Sequence, residues 1–167
     1  MIFSHSPGRG KALIMTMLLI MLMVPVLLAQ QKPIDYFGFQ PGSDRNLFTY
    51  EKLISYLKQL DEASDKLKMV DIGKSPEGRP MYILFISAAN NINNLEKLKG
   101  INKRLALETE IPVQEKKKLI AEGKVFVLGT LSMHSTEVGP AQAAPLIAYD
   151  LATTTDPVKL QWLEDVV

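Results

Sequence analysis

The sequence predicts an α/β protein in which helices and short strands alternate behind an apolar leader. Three observations carry that expectation. Tyr50, Leu53, Ile54 and Leu57 fall at i, i+3, i+4 and i+7, the spacing that lines one face of a helix. Residues 69–73 and 81–87 are short β-forming runs separated by a turn bearing Pro76 and Gly78, the pattern of an antiparallel hairpin. Residues 124–131 form a third apolar run, and a helical pattern follows almost at once. At 167 residues, 47% of them hydrophobic, the chain holds one domain's worth of polypeptide or less.

The leader comes first. Residues 1–11 carry Arg9 and Lys11 and no acid, residues 12–28 are almost entirely apolar, and Ala29 precedes the polar Gln30, Gln31 and Lys32. A basic start, an apolar middle and a small residue at the cut read as a signal peptide over residues 1–29. That implies export, to a periplasm or to the medium, and no stable membrane association after cleavage. The alternative is an uncleaved anchor through residues 12–28, which needs about 20 apolar residues; Pro25 near the end of the run favours cleavage. His5 lies in this segment and takes no functional role. The absence of cysteine excludes disulfides and thiolate ligands to zinc. Without Arg9 and Lys11 the 19 basic residues become 17 against 18 acidic ones, a net charge of −1. Such a chain offers no strong field for nucleic acid, and Lys116, Lys117 and Lys118 read as a solvated helix face.

Residues 30–46 read as an irregular arm, because Pro33, Gly38, Pro41, Gly42 and Ser43 are turn residues; Tyr36, Phe37 and Phe39 are expected to pack it onto a larger body. A helix over about 49–64 follows, with Thr49 as its cap and Leu60 continuing its stripe. In the hairpin, Pro76 presets φ and Gly78 relieves the turn; the second strand is the more buried, and Arg79 is a surface ion-pairing residue. Residues 88–123 interrupt the strands with helices. Leu95, Leu98, Asn102 and Leu105 make one stripe, weakened by Gly100, and Pro112 and Gly123 bracket another helix. Beyond Glu137, the positions Ala144, Ile147, Ala148 and Leu151 repeat at helical spacing. Pro145 removes a backbone donor there and should kink the helix or delay its start. Asp156-Pro157 opens a last short helix with Val158, Trp162 and Leu163 as its apolar face, and the closing Val166 and Val167 read as the first residues of a further strand.

The chemistry-bearing pair is His134 and Glu137. Spacing i, i+3 across a strand-to-helix junction lets both side chains face one point. A neutral imidazole and a carboxylate oxygen are both good zinc ligands. Alone, His-x-x-Glu is a weak signal. The competing reading is a surface histidine beside a glutamate that complements a helix dipole.

Three stretches in one order raise its specificity: Val70-Asp-Ile-Gly-Lys-Ser-Pro-Glu-Gly-Arg79, the strand that runs from there to Ser87, and Val125 to Gly139. Together they resemble the N-terminal part of zinc carboxypeptidases of the carboxypeptidase A type, over about residues 47–167. The resemblance implies a mixed eight-stranded sheet between helices (the phosphorylase/hydrolase-like fold), of which this chain would be an incomplete N-terminal fragment. The organisation is then 1–29 signal peptide, 30–46 arm, and 47–167 the N-terminal portion of the catalytic domain. It implies zinc as cofactor, His134 as first ligand, Glu137 as second, and hydrolysis of C-terminal peptide bonds in peptide or protein substrates. The family's third ligand is a second histidine further along, as are its general-base glutamate, its carboxylate-binding Asn-Arg pair and a mobile tyrosine. None of these lies in this chain, so no catalytic residue is assigned and the isolated chain is expected to be inactive. The strand leading to His134 would also lack the neighbours it has in the family. Two departures are visible: the 88–123 insert is longer than in the short pancreatic-type enzymes, and Thr136 stands where some relatives place a substrate-contacting arginine. The alternatives are a related zinc deacylase acting on acylated amino acids, and a non-catalytic truncated module that binds a partner through an open sheet edge.

Overall fold

The computed structural model of the protein describes residues 30–167. The signal-peptide and anchor readings, and His5, lie outside the described residues. The elements run α1 (Pro33–Phe37), α2 (Tyr50–Ala63), β1 (Leu67–Lys74), β2 (Pro80–Ile86), α3 (Ala89–Asn93), α4 (Leu95–Leu107), α5 (Val113–Glu122), α6 (Val138–Thr153) and α7 (Pro157–Asp165). No helix among the described residues is long and apolar enough to cross a membrane.

The arm is less irregular than its turn residues suggest. Pro33 sits in the first turn of α1, where its missing N–H costs nothing, and Gly38 closes the helix with φ 79° and donates to the Ile34 carbonyl. This short helix aims Phe37 inward. Phe37 is buried, stacks on Phe48 at 4.3 Å and meets Tyr56 at 5.3 Å. The arm therefore shares the core of the elements that follow. Thr49 caps α2, its hydroxyl accepting from the Lys52 N–H at 3.3 Å. The face that α2 buries is Tyr56, Leu57 and Leu60, turned from the expected stripe so that Tyr50 is exposed; its hydroxyl instead donates to the Pro80 carbonyl at 2.8 Å.

Strands β1 and β2 pair antiparallel, with Leu67 opposite Ile86 and Met69 opposite Leu84. The register breaks between Asp71 and Gly73, where Gly73 takes φ 105° and the Asp71 carboxylate accepts its N–H at 2.7 Å. The expected turn closes on Ser75, whose N–H donates to the Arg79 carbonyl at 2.8 Å. Because side chains alternate across a strand, the two faces of this sheet pack differently. Leu67, Met69, Leu84 and Ile86 join Phe37, Tyr56, Leu57, Leu60, Ala148 and Ala152. Phe85, on the other face, joins Leu95, Leu98, Phe126 and Val167. Helices α1, α2 and α6 thus cover one side, and α4 with the chain's last residue covers the other.

Three expectations need correction. Residues 124–131 do not form a third strand of this sheet. Val125 makes one parallel bridge with Val166; Val167 donates to the Val125 carbonyl and Val127 to the Val167 carbonyl, each at 2.9 Å. A strand needs a partner along its length, and among the described residues only two pair with this one. Of the two effects expected of Pro145, a kink or a delayed start, the delay does not occur: α6 begins at Val138 and buries Gln142, Pro145, Ala148 and Ala152, while Ile147 is exposed. Of the expected apolar face of α7 only Leu163 is buried, while Val158 and Trp162 face solvent, since what α7 packs against is the β2–α3 junction at its C-terminal end. Its start is as expected, with Asp156 accepting from Val158 and Lys159 at 2.7 and 3.3 Å.

Between them, α4 and α5 make a helical hairpin in which no residue of α5 is buried. Ion pairs tie it to α4: Lys97 to Glu122 at 3.0 Å and Arg104 to Glu115 at 2.8 Å.

Candidate metal centre

The segment that delivers the site is anchored at its start. Phe126 meets Phe85 edge-on at 6.3 Å, and the two bonds to Val167 hold the backbone beside it. Beyond that anchor the chain is exposed, with Leu128 and Met133 facing solvent. Leu131 adopts φ 51°, a left-handed conformation that a branched residue takes at a cost of about 1 kcal/mol or more. A compact turn follows. Glu137 donates its N–H to the His134 carbonyl at 3.0 Å and Val138 donates to the Thr136 carbonyl at 3.1 Å. The Ser132 hydroxyl, with one proton to give, lies 3.0 Å from the His134 carbonyl and 3.3 Å from that of Glu137.

This turn brings the two expected side chains together. His134 Nδ1 lies 2.8 Å from Glu137 Oε1. The second carboxylate oxygen, Oε2, accepts from the backbone N–H of His134 at 3.3 Å and of Met133 at 3.4 Å. The hydrogen bond from His134, followed by those two backbone donors, holds the Glu137 carboxyl below the ordinary carboxylate range. Glu137 stands immediately before α6, but its side chain caps no N–H of that helix. It folds back toward the loop instead, which is not the geometry of a helix-capping acid. Both side chains are open to water, His134 at 67% and Glu137 at 49% exposure.

The donor types suit zinc. With metal–ligand bonds of roughly 2.1 Å, a tetrahedral angle sets two donors about 3.4 Å apart. The observed pair is closer than that and shares a proton, so taking up a metal means losing that proton and opening by about half an ångström. Two exposed side chains can do this by small rotations. The donor count is the shortfall: among the described residues no group of three or more metal-binding side chains comes together, whereas a catalytic zinc uses three protein ligands.

Sequence reasoning missed the supporting residues. Ser132 sits two before His134, a spacing at which a hydroxyl can pin a turn, and that was the available signal. Ser87 and Asn91, both buried, bind the far end of α7 across more than seventy residues and had no local signal at all.

Residues 53–167 match the family model described as zinc carboxypeptidase. The search of curated proteins found no match, and neither did the search of solved structures. The matched region runs from within α2 through the hairpin and the insert to the His134–Glu137 turn and on to Val167, and with it the chain belongs to the zinc carboxypeptidase family.

Proposed function

We propose that this chain supplies His134 and Glu137 as two of the three protein ligands to zinc in an enzyme that hydrolyses C-terminal peptide bonds of peptides or proteins. Family membership supports peptidase-type hydrolysis in general. The observation that carries the finer reading is the approach of His134 Nδ1 to Glu137 Oε1 at 2.8 Å, in a turn that also orients the carboxylate with two backbone donors.

Zinc, when bound, lowers the pKa of its water toward neutrality and polarises the scissile carbonyl. This chain's own groups prepare the place for it. Glu137 is kept ionised by the hydrogen bonds it accepts, so it offers an anionic oxygen at neutral pH. Backbone donors to a ligating carboxylate fix its direction and are part of the site. His134 offers an imidazole nitrogen, and Ser132 holds the turn that spaces the two ligands.

The sequence has two histidines, His5 and His134, so among the described residues no second imidazole completes the set. In this reading the third ligand, the proton-transferring acid and the groups that grip the substrate's carboxylate belong to polypeptide outside these residues. The chain alone then binds zinc weakly and hydrolyses nothing. The basic-apolar leader supports export of the enzyme, to a periplasm or to the medium.

The test is zinc titration of the purified chain against a chromophoric chelator. His134→Ala and Glu137→Gln should each weaken binding by about tenfold or more, because each removes one donor of a two-donor site. Unchanged affinity in both variants would refute the ligand assignment. Chelator-sensitive hydrolysis of a blocked dipeptide by the wild-type chain would refute the claim that the rest of the site lies elsewhere.

A further inference from the structure

The most buried polar cluster of the described residues has no part in the metal site. Ser87 is 0% and Asn91 3% exposed. Ser87 follows the last residue of β2, and Asn91 lies one turn later in α3. Both point at the C-terminal end of α7. The Ser87 hydroxyl lies 2.6 Å from the Val166 carbonyl and 2.9 Å from that of Leu163. The Asn91 amide nitrogen lies 3.0 Å from Ser87 Oγ, 3.1 Å from the Leu163 carbonyl and 3.0 Å from the Glu164 carbonyl. The Ala88 N–H adds a bond to Leu163 at 2.8 Å.

A helix leaves its last carbonyls without partners inside itself; here that of Leu163 is buried and those of Glu164 and Val166 are partly so, where an unpaired acceptor is costly. Ser87 has one proton and Asn91 Nδ2 has two. One Asn91 proton goes to Ser87 Oγ and the other is shared by the Leu163 and Glu164 carbonyls. That arrangement frees the Ser87 proton for Val166, its shortest contact. The clasp therefore fixes where α7 ends and the direction in which Val166 and Val167 leave it. Those two residues are what residues 125–127 pair with, through the bonds of Val125 and Val127 to Val167. Among the described residues the backbone of 125–129 makes no other hydrogen bond.

We propose that Ser87 and Asn91 are positioning residues for the His134–Glu137 pair. They act through the end of α7 and the two backbone bonds that seat the segment leading to His134. The proposal rests on the ligand reading above only for its metal-binding consequence; the placement of the pair can be read without metal.

The experiment compares the full chain with Asn91→Ala, with Ser87→Ala, and with Leu57→Ala as a control from the opposite face of the sheet. Amide hydrogen exchange at Val127 and Val167, the His134 ring resonances, and zinc affinity are measured on each. Asn91→Ala should raise exchange at Val127 and Val167 by about tenfold, the scale of one lost buried hydrogen bond, while leaving β1 amides unchanged. It should also shift the His134 ring resonances and weaken zinc binding about three- to tenfold, in the lower part of what supporting shells contribute. Leu57→Ala, at an equal loss of thermal stability, should leave all three readings at Val127, Val167 and His134 as in wild type. Ser87→Ala, a near-isosteric change, carries the test if Asn91→Ala does not fold. Exchange and ring resonances that respond no more to the clasp variants than to the control overturn the proposal. A wild-type chain with no zinc affinity overturns the ligand reading instead, and the proposal is then decided by exchange and the His134 ring alone.

Discussion

Replacing Tyr56 by phenylalanine keeps a buried ring and removes one hydroxyl. The ring is 1% exposed, with Tyr36 at 4.9 Å and Phe37 at 5.3 Å, so packing is preserved. The hydroxyl donates to the Gln31 carbonyl at 2.9 Å, and losing that bond should cost about 1 kcal/mol at neutral pH. Burial, with a smaller contribution from Tyr149, raises the phenol above its usual range. The sign follows from the direction. The folded state holds the proton more tightly than the unfolded chain, whose tyrosine titrates near pH 10. The stabilisation is complete below that pH and is lost as pH rises, because the unfolded chain ionises first. The limiting slope is about 1.4 kcal/mol per pH unit; allowing for solvent screening near the hydroxyl, about 1 kcal/mol should be gone at pH 11. Tyr56→Phe lacks this loss, so its deficit at pH 7 should close near pH 11. Urea midpoints from pH 7 to 11 on both proteins test this, with the other tyrosines cancelling in the difference. A gap that stays constant across that range would refute the reasoning.

Three further outcomes are expected. A Cβ at Gly123 would stand 2.9 Å from the Leu119 carbonyl oxygen and 3.0 Å from Ile101 Cγ2, so Gly123→Ala should destabilise by about 1–3 kcal/mol, and an unchanged urea midpoint would count against that close approach. Gln142 buries an Oε1 with no hydrogen-bond partner among the described residues, so Gln142→Met should raise stability by about 1 kcal/mol; a lower melting temperature would mean that the oxygen has a partner. Helix α5 buries no residue and is tied to α4 by exposed ion pairs, so 1 M NaCl, which shortens the screening length to about 3 Å, should speed amide exchange in α5 but not in α2. Equal responses from both helices would show that α5 is held by something other than charge.

What could be read from the sequence is what short-range chemistry determines. Thr49, Asp156 and the Pro76–Gly78 turn act on backbone groups two to four residues away, and each does in the structure what its residue type requires. His134 and Glu137 meet for the same reason, since a spacing of three within one turn leaves little room for them to part. The misreadings lie where a neighbour decides. Residues 124–131 have a strand's composition, but their state depends on what lies alongside, and among the described residues only Val166 and Val167 do. Tyr50 and Tyr56 are equally plausible inward residues until the aromatic arm selects one face of α2. Ser87 and Asn91 could not be recognised, because their partners at Leu163, Glu164 and Val166 lie 72 to 79 residues away.

The run from Val125 to Met133 carries no charge and no proline; its first three residues are fastened at Val167 and Phe85, and Ser132 and Met133 are held in the turn that follows. Between those fastenings lies an unzipped seam, where the amides of Leu128 and Gly129 have no partner among the described residues and apolar side chains face solvent. Crowded solutions of this molecule should thicken there first, and light scattering against concentration will show whether they do. A single lysine sewn into the seam at Leu128, well short of His134, is the smallest change expected to keep neighbouring copies apart.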